Sequence, residues 1–185
     1  MTVITRFAPS PTGYLHIGGA RTALFNYLFA KHYGGRYLLR IEDTDKQRST
    51  DDAIEAIFEG LNWLGLEGDK PTKYQSHNIN RHKQVANELA ASGAAYYCYL
   101  SLAEIETLRE ENKQDGTPFR SPWRVPSYNG DKNQKPVLRL RMPDDNDTII
   151  DDLVQGEVSV ENKQLDDLVL MRSDETPTYM LAVVV

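Results

Sequence analysis

One cysteine, Cys98, in a chain of 185 residues leaves nothing for an internal disulfide and fits a reducing, cytoplasmic compartment. No apolar run approaches the roughly 18 consecutive residues that a membrane span requires. The opening MTVITRFAPSPTG has no basic region followed by an apolar stretch, so it does not read as a secretory signal. Positive charge is also short: 21 basic against 27 acidic side chains leave a net −6, which argues against nonspecific nucleic-acid binding by the whole surface. What remains is ordinary. With 40% hydrophobic and 26% charged residues the chain reads as globular rather than disordered, long enough for one domain or one domain with a modest insertion.

The charge deficit is not uniform. From Arg109 to Arg141 eight basic residues outnumber four acidic ones, a local excess of four positive charges. A segment of that kind suits either a solvated loop or a contact to a phosphate backbone.

Thr2 to Phe7 reads as a short strand, and Ala8 to Gly19, rich in proline, glycine, serine and threonine, as a turn-laden loop. Ala20, Ala23, Leu24, Tyr27, Leu28 and Lys31 recur at helical spacing, and Gly34-Gly35 closes that helix. Arg36 to Ile41 is a second strand, too apolar for an exposed element. Strand, glycine loop, helix and strand make one right-handed βαβ unit and imply a parallel sheet. Two helices follow. The first carries the stripe Ile54, Ile57, Phe58, Leu61 and Leu64 with Ser49 and Asp52 as a capping box; the second spans Ile79 to Ala91. Ser101 and Glu104 open a further short helix. After Gly116 strand-like runs dominate: Val137–Met142, Thr148–Val154, Glu157–Glu161 and Leu168–Met171, with a hairpin turn at Gln155-Gly156. A β-rich stretch after an α/β start suggests an inserted small domain. The last residues, TYMLAVVV, read as a buried strand without a polar close, which suggests a truncated chain.

His16-Ile17-Gly18-Gly19 follows the first strand and opens the first helix. A helix N-terminus offers unpaired N–H groups and partial positive charge, a seat for a phosphate or nucleotide, and the two glycines let a ligand approach the backbone. Alone, that tetrapeptide reads sooner as a loop that needs to turn, with the histidine incidental.

The wider run from Arg6 to Gly19, RFAPSPTGYLHIGG, resembles the first signature of the glutamate branch of class I aminoacyl-tRNA synthetases. So do Leu39-Arg40-Ile41-Glu42-Asp43-Thr44-Asp45, Asn62-Trp63-Leu64-Gly65-Leu66, and Asp166–Leu170 with Pro177-Thr178-Tyr179, in the family's order and across nearly the whole chain. The resemblance implies an α/β fold: a Rossmann-like parallel-sheet nucleotide-binding domain (residues 1–95 and 173–185, incomplete). A small α+β insertion, residues 96–172, would interrupt it and meet the tRNA acceptor end. It also implies ATP-dependent activation of L-glutamate to glutamyl-adenylate, then transfer to the 3′ end of tRNA(Glu), with Mg²⁺ assisting and no covalent nucleophile.

By the same resemblance Arg6 directs its guanidinium fork at a carboxylate of glutamate, Ala8 and Ser10 line the pocket, Glu42 takes the α-ammonium, and Tyr179 closes the pocket. Pro9, Ser10, Pro11, Thr12, Gly13, His16, Gly18 and Gly19 hold ATP, with His16 and Gly18 serving the chemical step. Arg120 and Arg124 are the expected tRNA contacts. A cytoplasmic monomer is expected. Arg6 and Glu42 have a competing reading as a structural ion pair between strands, and Glu42, Asp43 and Asp45 one as a metal cluster, though their spacing suits no standard calcium loop.

Three departures qualify the likeness. Some members hold zinc through a Tyr-x-Cys-x-Cys segment and further cysteines; here Tyr96-Tyr97-Cys98-Tyr99-Leu100 keeps one thiol, too few for a site of four ligands, so no zinc is expected. Asp174-Glu175 has glutamate where the family usually shows glycine. The family's lysine-containing loop, further strands and anticodon-binding region have no counterpart in these residues, so the chain alone is expected to charge tRNA little or not at all. A short paralogue that loads glutamate onto a modified tRNA base, and a noncatalytic tRNA-binding module, are the alternative readings.

Overall fold

The computed structural model describes residues 2–45 and 48–185 and divides into two compact units, Met1–Ile79 and Asn80–Val185. In the first, β1 (Ile4–Phe7), β2 (Arg36–Ile41) and β3 (Asp69–Tyr74) form a parallel sheet in that order, with α1 (Ile17–His32) and α2 (Asp51–Trp63) as crossovers. Alternation along the strands divides the sheet's two faces. Phe7, Tyr37 and Leu39 enter a core with Ala23 and Ala30 of α1 and Ile57 and Leu61 of α2. Arg6, Leu38 and Arg40 belong to the other face, since Arg6 pairs with Leu38 in register. β2 has the bounds its apolar run predicts. β3, DKPTKY, has no apolar alternation to reveal it and forms by adding to an existing edge, with its side chains mostly exposed.

The helices follow their sequence periods with two adjustments. α1 buries Ala23 and Ala30 with Tyr27 packed against them, while Leu24 and Leu28 remain exposed. The cap of α2 falls one residue later than the Ser49–Asp52 box: Thr50 is the N-cap, and its hydroxyl accepts from the Ala53 N–H.

In the second unit α3 (Ile79–Ala91) precedes an antiparallel sheet of β4 (Ala95–Cys98), β5 (Val137–Leu140) and β8 (Val169–Met171). α4 (Leu102–Asp115) opens on the predicted Ser101–Glu104 capping box and ends at Gly116 with φ 65°. β6 (Asp147–Asp152) and β7 (Gly156–Glu161) make the predicted hairpin, with the turn at residues 153–155, where Gln155-Gly156 was expected, and Gly156 opening β7 at φ 78°. The apolar run near residue 180 is not a strand but one helical turn, α5 (Tyr179–Ala182). Thr178 bonds its N–H to Leu170 O and its hydroxyl to Val169 O, which ends the extended chain and starts the turn. Leu181 then packs with Ala86, Ala95, Leu138 and Leu170. Residues 80–95 and 173–185, read from sequence as part of the first domain, thus pack within the second unit, because β4 pairs with β5 and α5 shares its core.

Candidate functional site

The strand-end loop and the following helix bring the signature residues around one concavity. A cleft of about 370 Å³ is lined by Pro9, Ser10, Thr12, Gly13, His16 and Gly19, with Phe7, Leu15 and Ile57 behind them. That volume lies within the range of small-ligand pockets. Pro11 is fully buried and braces the loop from beneath, and Ala8 is half-buried at the end of β1.

His16 is the N-cap of α1. Its Nδ1 accepts from the N–H groups of Gly18 at 3.1 Å and Gly19 at 3.3 Å. Two N–H groups expected to face a phosphate are therefore held by the histidine itself, and a bound anion would compete with the ring for them. Because Nδ1 accepts, the ring proton sits on Nε2, which becomes its donor. Gly18 leaves room for this contact: a Cβ there would lie 3.0 Å from His16 Cε1, close enough that the ring would have to shift by a few tenths of an ångström.

Across the sheet end, the loop meets Glu42, whose N–H donates to Pro9 O at 2.9 Å. Glu42 is 4% exposed, and Arg40 Nε donates to its Oε1 at 2.5 Å. The other carboxylate oxygen, Oε2, is buried with no hydrogen-bond partner among the described residues. A buried carboxylate oxygen without a donor is costly, so this one is suited to receive a cation. Arg6 stands on the same face, largely exposed; partial desolvation and then the charge of Arg40 hold its guanidinium below its ordinary range, with Glu42 pulling the other way. Arg6 makes no ion pair with Glu42. The strand-to-strand pair that competed for these residues is instead Arg40–Glu42. Arg40 stands in the Leu39–Asp45 signature block without an expected role, and only the parallel register places it beside Arg6.

Arg6 and Arg40 set two guanidinium groups beside the one carboxylate of Glu42, and Lys73 of β3, in register with Arg40, adds a further cation to the same face. The neighbouring acids are engaged elsewhere. Asp43 accepts from the Ser76 N–H at 2.8 Å and the Ser76 hydroxyl at 2.6 Å, and Asp45 pairs with Arg48 at 2.7 Å. Among the described residues no group of three His, Cys, Asp or Glu side chains is arranged to hold a metal ion.

The remaining predicted residues lie in the second unit. Tyr179 opens α5 and is 49% exposed. Arg120 and Arg124 are engaged internally. Both bind the fully buried Asp167, at 2.7 and 2.9 Å, and both donate to Met142 O; Arg120 also reaches Asn162 O and Arg124 reaches Asp144. Burial works against the Arg124 charge, but the Asp144 and Asp167 carboxylates outweigh it and raise its affinity for the proton. The geometry thus gives these two arginines a structural task where phosphate contact was expected, because a buried carboxylate draws the nearest guanidinium groups inward. Asp167 also accepts from the Tyr96 hydroxyl at 2.8 Å; burial first, and this bond second, raise the Tyr96 pKa. Cys98 is buried, with Sγ 3.3 Å from Ser121 Oγ.

The profile of the family described as tRNA synthetases class I (E and Q), catalytic domain, matches residues 2–185. A glutamate–tRNA ligase 1 of Beijerinckia indica is 59% identical over 99% of this chain and 39% of its own length. A glutamate–tRNA ligase 2 of Rhodospirillum rubrum is 56% identical over all of this chain and 40% of its own. The crystal structure of a glutamate–tRNA ligase from Elizabethkingia meningosepticum, solved with its amino acid, superposes with a TM-score of 0.84 at 34% identity, covering all of this chain and 41% of that one. The chain thus spans about two fifths of the length of the relatives it matches. Signature loop, capped helix, charged strand end and sequence likeness converge: the chain belongs to the catalytic-domain family of the class I tRNA synthetases for glutamate and glutamine.

Proposed function

We propose that the protein activates L-glutamate with ATP and passes the glutamyl group to the 3′ end of tRNA(Glu). The observation that carries this reading is the charged face beside the signature loop. Glu42 Oε2 is buried without a donor, one Arg40 bond fixes the carboxylate, and Arg6 stands next to it. Glu42 takes the substrate ammonium, and Arg6 takes the side-chain carboxylate through a planar fork suited to two parallel bonds. Ala8 and Ser10 border that pocket. The α-carboxylate then attacks the α-phosphorus of ATP, pyrophosphate leaves, and a terminal ribose hydroxyl of the tRNA takes the glutamyl group from the adenylate. Catalysis of this kind needs alignment and charge stabilisation rather than a protein nucleophile. His16 contributes its Nε2–H toward the phosphates, and Pro9 to Gly13 with Gly18 and Gly19 shape the nucleotide seat.

Mg²⁺ dehydrates reluctantly and favours phosphate oxygens with retained water, so the reading has it arrive with ATP. Among the described residues the carboxylates at this strand end do not form a cage for it, since Asp43 and Asp45 are already bonded and Glu42 shares one oxygen with Arg40. A structural zinc site is not expected, Cys98 being the single thiol in the sequence. The working form is a cytoplasmic monomer, the compartment supported by that one cysteine. No helix among the described residues is long and apolar enough to cross a membrane.

Arg6→Ala tests the reading. Loss of one charge-assisted interaction is expected to weaken glutamate binding by about 1.5–3 kcal/mol in isothermal titration. An unaltered affinity removes Arg6 from the pocket. Robust tRNA charging by the 185 residues alone would overturn the expectation that the remaining three fifths of the relatives' length is needed.

A further inference from the structure

A second cleft, of about 490 Å³, lies wholly within the first unit, on the face of the sheet that carries Leu39 and not Arg6 or Arg40. The proposed reaction does not use it. Leu39 of β2, Ile54, Phe58 and Leu61 of α2 and Tyr74 of β3 form an apolar floor. Its rim is acidic. Asp51, Glu55 and Glu59 of α2 and Glu67 of the loop before β3 line it against one cation, Lys70, so four carboxylates and one ammonium leave three negative charges in excess. Among the described residues none of these four carboxylates makes a hydrogen bond or an ion pair. The nearby Asp69 differs, since it accepts from the Tyr37 N–H at 3.0 Å and faces Arg36 at 4.0 Å.

Asp51, Glu55 and Glu59 follow one another four residues apart, a spacing that sets like charges side by side and disfavours the helix. The helix N-terminus compensates Asp51, but that help fades within the first turn and reaches neither Glu55 nor Glu59. The same row ends four residues beyond Glu59 at Trp63, which is 86% exposed. Trp63 belongs to the Asn62–Leu66 signature block, yet neither the core nor the proposed reaction takes it up. An exposed tryptophan beside an apolar floor and an acidic row without counter-charges matches a partner that brings an apolar anchor and positive charge. Pro71 and the irregular register between Asp69 and Lys73 blunt the outer edge of β3 against an added strand, so recognition falls on side chains.

We propose that this groove docks a basic segment of a partner protein. A large apolar side chain of that segment lies on the floor and against Trp63, and flanking lysine or arginine side chains meet Glu55, Glu59 and Glu67.

Selection of twelve-residue peptides from a random library on the immobilised 185-residue chain tests this, with the affinities of the enriched sequences then measured by fluorescence anisotropy. The enriched peptides are expected to join lysine or arginine to a large apolar residue. Glu55→Gln combined with Glu59→Gln should weaken their binding about tenfold, the loss of two exposed charge pairs. Trp63→Ala should weaken it about thirtyfold, the loss of an anchoring aromatic. The glutamine pair relieves repulsion along α2, so its effect does not reflect a lost fold, and circular dichroism checks both variants. No enrichment, enriched peptides without basic residues, or affinities indifferent to these substitutions would overturn the proposal. Spermidine binding as tightly as the peptides would make the groove a polyamine site, and self-association of the chain abolished by the same substitutions would make the occupant a second copy; either result also overturns it. Glutamate affinity should be unchanged in the glutamine pair, and peptide affinity unchanged in Arg6→Ala, so the two readings fail separately.

Discussion

Replacing Arg40 by methionine keeps much of the side chain's apolar bulk and removes the charge that faces Glu42. The two side chains are 8% and 1% exposed, so water cannot take the guanidinium's place. Opposite charges about 4 Å apart attract by about 4 kcal/mol at an effective dielectric near 20. Much of that attraction only offsets the desolvation of both ions, so the intact pair adds modestly to stability. Its half-removal is different. A carboxylate left buried without its partner typically costs about 3–5 kcal/mol. Arg6 cannot substitute from its strand, since it is largely exposed and forms no ion pair with Glu42. Arg40→Met is therefore expected to lower unfolding stability by about 3–5 kcal/mol. Adding Glu42→Gln should recover part of the loss, with a coupling of about 1–3 kcal/mol, because a neutral amide has less solvation to forfeit. Urea unfolding followed by circular dichroism, with unchanged slope in denaturant, reads both numbers. A single-variant loss under about 1 kcal/mol, or strictly additive losses, would show that Glu42 does not depend on Arg40.

Other consequences follow from the same structure. Asp167→Ala removes the carboxylate shared by Arg120, Arg124 and Tyr96 and should cost about 3–5 kcal/mol; a change under about 1 kcal/mol in chemical denaturation would show the network to be dispensable. Tyr37 has a buried hydroxyl without a hydrogen-bond partner, and burial pushes its pKa up to about 12 from 10. A raised tyrosine pKa supports the fold fully below pH 10, and that support drains away as pH rises toward about 12. Tyr37→Phe should then raise stability at neutral pH by about 1 kcal/mol and flatten the loss between those limits; an unchanged alkaline melting profile would contradict it.

The βαβ start was legible because its signals are local. The apolar run of β2, the glycines closing α1, and the Ser101–Glu104 box each act within a few residues. β3 was not legible, since a polar strand containing proline becomes one only beside β2. The TYMLAVVV run misled because a short apolar stretch has no period to separate strand from helix; bonds from Thr178 to β8 decided for the helix.

The candidate site divides in the same way. Arg6, Glu42 and the loop from Pro9 to Gly19 stand out as residue types in a recognisable order, and that order alone implied nucleotide and glutamate chemistry. The tertiary structure decided which charges meet. Parallel register set Arg40 on the face of Arg6, where it binds one oxygen of Glu42 and leaves the other without a donor. Burial of Asp167 drew Arg120 and Arg124 inward. Composition and spacing specify which charges a chain carries, but the strength and partner of each depend on distance and on exclusion of water, and only folding sets those.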